Sequence, residues 1–236
     1  MCDTCGCEQT GATPKPVEPQ RIPVVQKILS ANDQAALENR EHLKSHGITA
    51  FNLMSSPGAG KTTLLLATIA ALREKTRVGV IEGDTASQVD AEIIAATRTP
   101  VVQINTGGGC HLDAPMVHSA LHALPLDALD VLFIENVGNL ICPVAFDLGQ
   151  NYKVALLSVP EGHDKPYKYP AIFEAVDVVV VTKADLMPYL DFDLEKFRNL
   201  VRGLNATAPV IALSAKTGAG MADWLAWLGE RLNGWD

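Results

Sequence analysis

Three groups of residues in this chain have the types and spacing to do chemistry. The first is Ser55-Ser56-Pro57-Gly58-Ala59-Gly60-Lys61-Thr62-Thr63, a glycine loop between an apolar run and the apolar stretch 64–72. Small residues let backbone N–H groups converge on phosphate oxygens, and the start of a helix adds a positive field. Lys61 then reaches the β and γ phosphates, and the Thr62 hydroxyl can ligate Mg²⁺. Pro57, Gly58, Ala59, Gly60, Lys61, Thr62 and Thr63 are therefore expected nucleotide contacts. Ser55 stands where the G-x-x-x-x-G-K-S/T pattern usually has its first glycine, so the turn departs from the common spelling.

Two acidic sequences accompany the loop, Glu82-Gly83-Asp84 and Glu135-Asn136-Val137-Gly138. Phosphoryl transfer needs positioned metal and phosphates more than covalent chemistry. Asp84 and Glu135 are expected in the magnesium shell or orienting water, with Lys61 as the third catalytic group, and the Gly138 N–H is expected to face the γ-phosphate. The competing assignment for both carboxylates is to cap turns or helices.

The base would be chosen farther on. Thr182-Lys183-Ala184-Asp185 is close to the Asn-Lys-x-Asp signature of guanine sites. Guanine presents N1–H and a 2-amino group side by side, so the Asp185 carboxylate can accept from both, and adenine offers no such donor pair. The Lys183 stem can pack on the base, and Ser214-Ala215-Lys216 is placed to cover O6 with a backbone N–H. Thr182 replaces the usual Asn, which leaves the bracing of this loop open.

The third group is sulfur and imidazole. Cys2, Cys5 and Cys7 crowd the first seven residues, and soft thiolates favour zinc, Cu(I) or, with nitrogen ligands, nickel. A redox-active tail is the alternative. Cys110-His111 and Cys142 follow other strand candidates and are expected at the nucleotide edge as one metal site, alone or shared across a dimer; the alternative is two buried thiols and a surface histidine. His118 and His122 are four apart and read as solvated surface residues.

These groups need a scaffold to bring them together. Apolar runs at 48–54, 77–81, 101–104, 131–134, 154–159, 178–181 and 210–213 alternate with helical stretches, of which 61–74, 194–204 and 221–232 are examples. Several runs lack alternation, as strands covered on both faces do, so a doubly wound, mostly parallel α/β sheet of about seven strands is expected, with ligands at the strand C-terminal ends. Ahead of it, residues 1–23 read as a cysteine tail and proline-rich tether, and 24–47 as one or two amphipathic helices. Residues 48–236 read as the nucleotide domain.

With 47% hydrophobic and 19% charged residues the composition is that of a folded domain, and the net charge of −8 argues against nucleic acid or anionic membrane as partners. No apolar run reaches membrane-spanning length and the first residues lack the basic and apolar regions of a signal peptide, so the cytoplasm is the expected location. An odd count of five cysteines, three of them in one short tail, fits metal binding better than a disulfide framework.

Taken together, Cys-x-x-Cys-Gly-Cys, Ser-Pro-Gly-Ala-Gly-Lys-Thr-Thr, Glu-Gly-Asp, Gly-Cys-His-Leu-Asp, Glu-Asn-Val-Gly-Asn-Leu and Glu161-Gly162-His163-Asp164-Lys165-Pro166 resemble the HypB family of hydrogenase nickel-incorporation GTPases over nearly the whole chain. The resemblance implies a tight nickel site at Cys2, Cys5 and Cys7, and a weaker nickel or zinc site at Cys110, His111 and Cys142. It further implies GTP hydrolysis controlling nickel delivery to the NiFe-hydrogenase large-subunit precursor, a HypA-type nickel-binding partner and a GTP-favoured homodimer. The histidine-rich stretch of some relatives is missing, which argues against bulk nickel storage. A urease-type nickel chaperone and a P-loop small-molecule kinase are the competing functions.

Overall fold

The structure, a computed structural model, describes residues 24–232 apart from Ala86. Seven parallel strands form one sheet: β1 (Thr49–Ser55), β2 (Val78–Asp84), β3 (Val101–Asn105), β4 (Val131–Glu135), β5 (Tyr152–Ser158), β6 (Val178–Thr182) and β7 (Val210–Ala212). Their order is β3-β2-β4-β1-β5-β6-β7. The helices are α1 (Val24–Ser45), α2 (Lys61–Leu72), α3 (Val89–Ala96), α4 (Ala114–Leu121), α5 (Lys165–Lys168), α6 (Pro170–Ala175), α7 (Leu194–Leu204) and α8 (Met221–Gly229). The doubly wound expectation is met, and the segment before the sheet is one helix.

Alternating side chains of each strand feed two apolar layers. On one face Phe51, Leu53, Phe133 and Val180 pack against Leu64, Leu65 and Ile69 of α2 and Trp224, Trp227 and Leu228 of α8. On the other, Ala50, Leu132 and Ile134 meet Leu43 of α1 and Val117 and Leu121 of α4, while Met54, Leu157 and Val181 meet Ile172 and Phe173 of α6 and Phe197 and Val201 of α7. Burial on both faces explains why Val178-Val179-Val180-Val181 shows no alternation. Each such Val or Leu contributes roughly 1.5–3 kcal/mol when withdrawn fully from water.

Helix starts follow local chemistry. Asp113 accepts from Met116 N–H to cap α4, and Asp193 accepts from Lys196 N–H to cap α7. Helix α1 is fastened by polar contacts as well as by Leu43. Asn39 Nδ2 donates to the carbonyls of Ala114 and Leu148 at 2.9 and 3.0 Å, Asn32 Nδ2 to Asp147 O at 2.8 Å, and Arg40 pairs with Asp147 at 2.7 Å. No helix among the described residues is long and apolar enough to cross a membrane.

Strand β1 lies between β4 and β5, so the connections leaving the C-terminal ends around it diverge and open a crevice there. β2 and β4 run past their apolar cores to Asp84 and Glu135, and Glu82 is the register partner of Glu135. Polar residues that look like loop in the sequence thus continue the ladder.

Candidate functional site

The loop after β1 turns on Gly58 and Gly60, both in the left-handed region, at φ 72° and 95°. Gly60 is the N-cap of α2, so the first free N–H groups of that helix face the crevice. Ser55 needs no such conformation. It is the last residue of β1, fully buried, its hydroxyl donating to Ser56 O at 2.7 Å and accepting from Lys61 Nζ at 3.3 Å.

Lys61 is 9% exposed, and its Nζ lies 3.9 Å from Glu135 Oε1. The Thr62 hydroxyl donates to the same carboxylate oxygen at 2.9 Å, and Glu135 is 3% exposed. Burial pushes the Glu135 carboxyl up to about 7 against the opposing pull of Lys61 and Thr62. Glu82, which sequence reasoning passed over in favour of Asp84, is 2% exposed beside it. Burial first, then the charges of Glu135, Asp84 and Asp90, push it up to about 8.

Asp84 Oδ1 accepts from Ser87 N–H at 3.2 Å, the turn-capping arrangement, and carboxylate oxygens of Glu82, Asp84 and Asp90 lie within 4.8 Å of one another. Glu82 Oε2 and Glu135 Oε2 are buried without a hydrogen-bond partner among the described residues. Orphaned hard oxygens next to a threonine hydroxyl are the donor set a magnesium ion and its waters satisfy, so the residues present fit that ion. Glu82, Asp84, Asp90 and Glu135 line, with Lys61, Pro57, Gly58 and Gly138, a cavity of about 270 Å³. A larger one of about 610 Å³ lies around Arg73, Pro100 and Leu129, with no acid, thiol or imidazole in its wall, so the chemistry belongs to the smaller.

The 182–185 segment closes over the phosphate loop. Thr182 Oγ1 donates to Ala59 O at 2.5 Å, supplying the brace that an Asn would give, and Lys183, at φ 57°, donates from Nζ to Gly58 O at 2.7 Å. Asp185 follows, half-buried in a short 3-10 turn. Ala184 N–H donates to Leu213 O at 3.0 Å, which seats this turn beside Ser214, Ala215 and Lys216, of which Ser214 is buried and Lys216 exposed. Thr63 is exposed on the outer side of α2.

Cys110, His111 and Cys142 are brought together: their ligand atoms all lie within 4.8 Å, with Cys110 Sγ 3.5 Å from His111 Nδ1. His111 stacks on Phe146 at 3.9 Å, and burial lowers its pKa, favouring the neutral, metal-binding imidazole. The neighbouring Cys142 thiol raises that of Cys110. Two thiols and an imidazole suit nickel or zinc. Cys2, Cys5 and Cys7 lie outside the described residues.

One segment touches both places. Gly138 stands so close to the phosphate loop that a Cβ on it would meet Pro57 Cα and N at 2.9 Å. Asn136, fully buried, accepts on Oδ1 from Leu112 N–H at 3.1 Å and from Val137 N–H at 2.9 Å, and donates to Asn52 Oδ1 at 3.2 Å. Asn139 Nδ2 donates to Cys110 O at 3.2 Å. The 135–139 run therefore connects Thr62 to the cysteine loop. His118, read from sequence as solvated, is half-buried and bonded to Asn39 across helices, a long-range contact that helical spacing cannot reveal.

A sequence profile of the CobW/HypB/UreG nucleotide-binding domain matches residues 49–212. The hydrogenase maturation factor HypB of Azotobacter chroococcum is 51% identical over 215 residues, 90% of this chain and 70% of that protein. Among solved structures, HypB of Archaeoglobus fulgidus aligns with a TM-score of 0.81 at 39% identity over 86% of this chain and all of the other. HypB of Helicobacter pylori in complex with nickel aligns with a TM-score of 0.81 at 37% identity, covering 85% and 94%. On profile, identity and fold alike, the chain belongs to the HypB family of hydrogenase maturation factors within the CobW/HypB/UreG nucleotide-binding domains.

Proposed function

We propose that this chain is a GTPase whose nucleotide state governs binding and release of nickel for insertion into the NiFe-hydrogenase large-subunit precursor. The observation that carries the proposal is the 135–139 segment, which contacts Thr62 and Pro57 at one end and the Cys110 loop at the other. Family membership and the relatives named above support it from outside.

In this reading the Gly58–Thr62 backbone and Lys61 hold the phosphates, and Asp185 selects guanine while Lys183 and Ser214–Lys216 cover the base. Thr62, Glu135 and the Glu82–Asp84 pair hold Mg²⁺, which when bound neutralises charge developing on the phosphate oxygens. Lys61, Asp84 and Glu135 remain the groups nearest the reaction, and Gly138 offers its N–H to the γ-phosphate. The residue after Gly138 is Asn139, already bonded to Cys110 O, and no glutamine stands there to orient water. Intrinsic turnover is therefore slow.

Nickel is the cargo. Cys110, His111 and Cys142 take it, or zinc, at the far end of the segment, and Cys2, Cys5 and Cys7 form a tighter site on the N-terminal tether. From the family resemblance, GTP favours the homodimer, a HypA-type protein supplies nickel, and the setting is the cytoplasm. The test is calorimetry with Mg²⁺ and GDP, GTPγS or ATPγS, paired with phosphate release in the absence of any acceptor. Guanine-selective binding with slow acceptor-independent release is expected. Equal affinity for the adenine analogue, or release that requires an acceptor, would overturn it in favour of a kinase.

A further inference from the structure

Four histidines lie together far from the phosphate loop. His42 and His46 end α1, and His118 and His122 end α4; ring centroids are 5.1 Å apart for His42 and His46, 5.3 Å for His42 and His122 and 4.8 Å for His118 and His122. The cluster is at the strand N-terminal edge, because α1 ends just before β1 begins and Asp127, 3.5 Å from His46 Nε2, lies shortly before β4. The phosphate loop and the Cys110 site are at the other edge, a strand length away, roughly 20 Å.

The decisive detail is a tautomer. Both hydrogens of the Asn39 amide are given to the carbonyls of Ala114 and Leu148, so its Oδ1 must face His118 Nδ1, 2.9 Å away, as an acceptor. His118 Nδ1 therefore carries the proton, and its Nε2 presents a lone pair. A buried oxygen fixing the far nitrogen in this way is the support that metal-ligating histidines have. That lone pair points at His122 Nε2, 3.2 Å distant and one helical turn on. Two imidazoles on one ion at about 2.05 Å would stand about 2.9 Å apart at a right angle and about 3.4 Å at the tetrahedral angle, and the observed spacing lies between.

We propose that His118 and His122 form a further metal site, a bidentate imidazole chelate for a divalent ion of borderline softness such as Zn²⁺ or Ni²⁺, with water in the remaining positions. Without metal, a single proton between the two Nε2 atoms takes the place of the ion. His46 is turned away: its Nδ1 engages His42 O at 2.9 Å and its Nε2 faces Asp127. The chelate is independent of the thiol sites and of GTP hydrolysis.

The test uses the full chain with Cys2, Cys5, Cys7, Cys110 and Cys142 changed to serine, titrated with Zn²⁺ or Ni²⁺ by calorimetry and followed by ¹⁵N chemical shifts of the imidazoles. One equivalent of metal should bind, shifting the Nε2 resonances of His118 and His122. His122→Gln, at an exposed helix end, and His118→Gln should each weaken binding at least tenfold while GDP affinity is unchanged, which shows that the fold is intact. No binding in the cysteine-free chain, or binding that survives His122→Gln without loss, would overturn the proposal.

Discussion

Glu82 and Glu135 face each other across β2 and β4 at a site where burial holds both carboxyls at raised pKa. Each is protonated more readily folded than unfolded, where about 4.5 is ordinary. Their contribution to stability is therefore complete below about pH 4.5 and is lost as pH rises toward about 7 for Glu135 and about 8 for Glu82. The nucleotide-free protein should melt at progressively lower temperature over that window, and Glu82→Gln should flatten the profile and raise Tm at the alkaline end by a few degrees; a profile unchanged by the substitution would contradict the assignment. At the base site, Asp185→Asn replaces an acceptor pair by one acceptor and one donor. It should weaken GTP by about 100-fold and favour xanthosine triphosphate, whose 2-carbonyl accepts where guanine donates, as competition binding would read. Lys61→Ala should cut phosphate release by at least about 100-fold. The placement of Lys61 and Thr62 on the phosphate loop and of Asp185 on the turn after β6 could be read from sequence, because local spelling and the strand ahead of it define each loop. Glu82 could not, since its burial and its partner depend on the pairing register of β2 with β4, strands that β3 separates in the chain.

At the scale of elements, the 135–139 run is built so that small changes matter. Gly138→Ala would place a methyl 2.9 Å from the Pro57 backbone, where no side chain can give way. The loop must shift, and nucleotide affinity should fall at least tenfold with about 1–3 kcal/mol of stability, measured by calorimetry and denaturant unfolding. Asn136→Ala strands Leu112 N–H and Asn52 Oδ1, at about 1–3 kcal/mol, and should loosen the link to the cysteine loop more than it loosens nucleotide binding. The seven strand candidates were all readable, since apolar runs covered on both faces leave a strong signal. Their polar C-terminal extensions were not, because Glu82, Asp84 and Glu135 look like loop until the ladder is seen. Nor was the seating of α1, where Asn39 binds residues from α4 and from the turn before β5.

For the molecule as a whole, an all-parallel sheet with β1 at its centre sends every βα turn to one edge, so phosphate loop, acidic pair, base loops and the Cys110–His111–Cys142 group meet there although they span most of the chain. The proposed coupling of nucleotide and metal binding would act through this shared edge and segment, and linkage is reciprocal. The direct measurement is a nickel titration of the chain with Cys2, Cys5 and Cys7 changed to serine, loaded with Mg²⁺ and either GDP or GTPγS. The account predicts nickel affinities at Cys110, His111 and Cys142 that differ by at least about fivefold between the two nucleotides, with the difference reduced in Asn136→Ala. Identical affinities in the two states would contradict it.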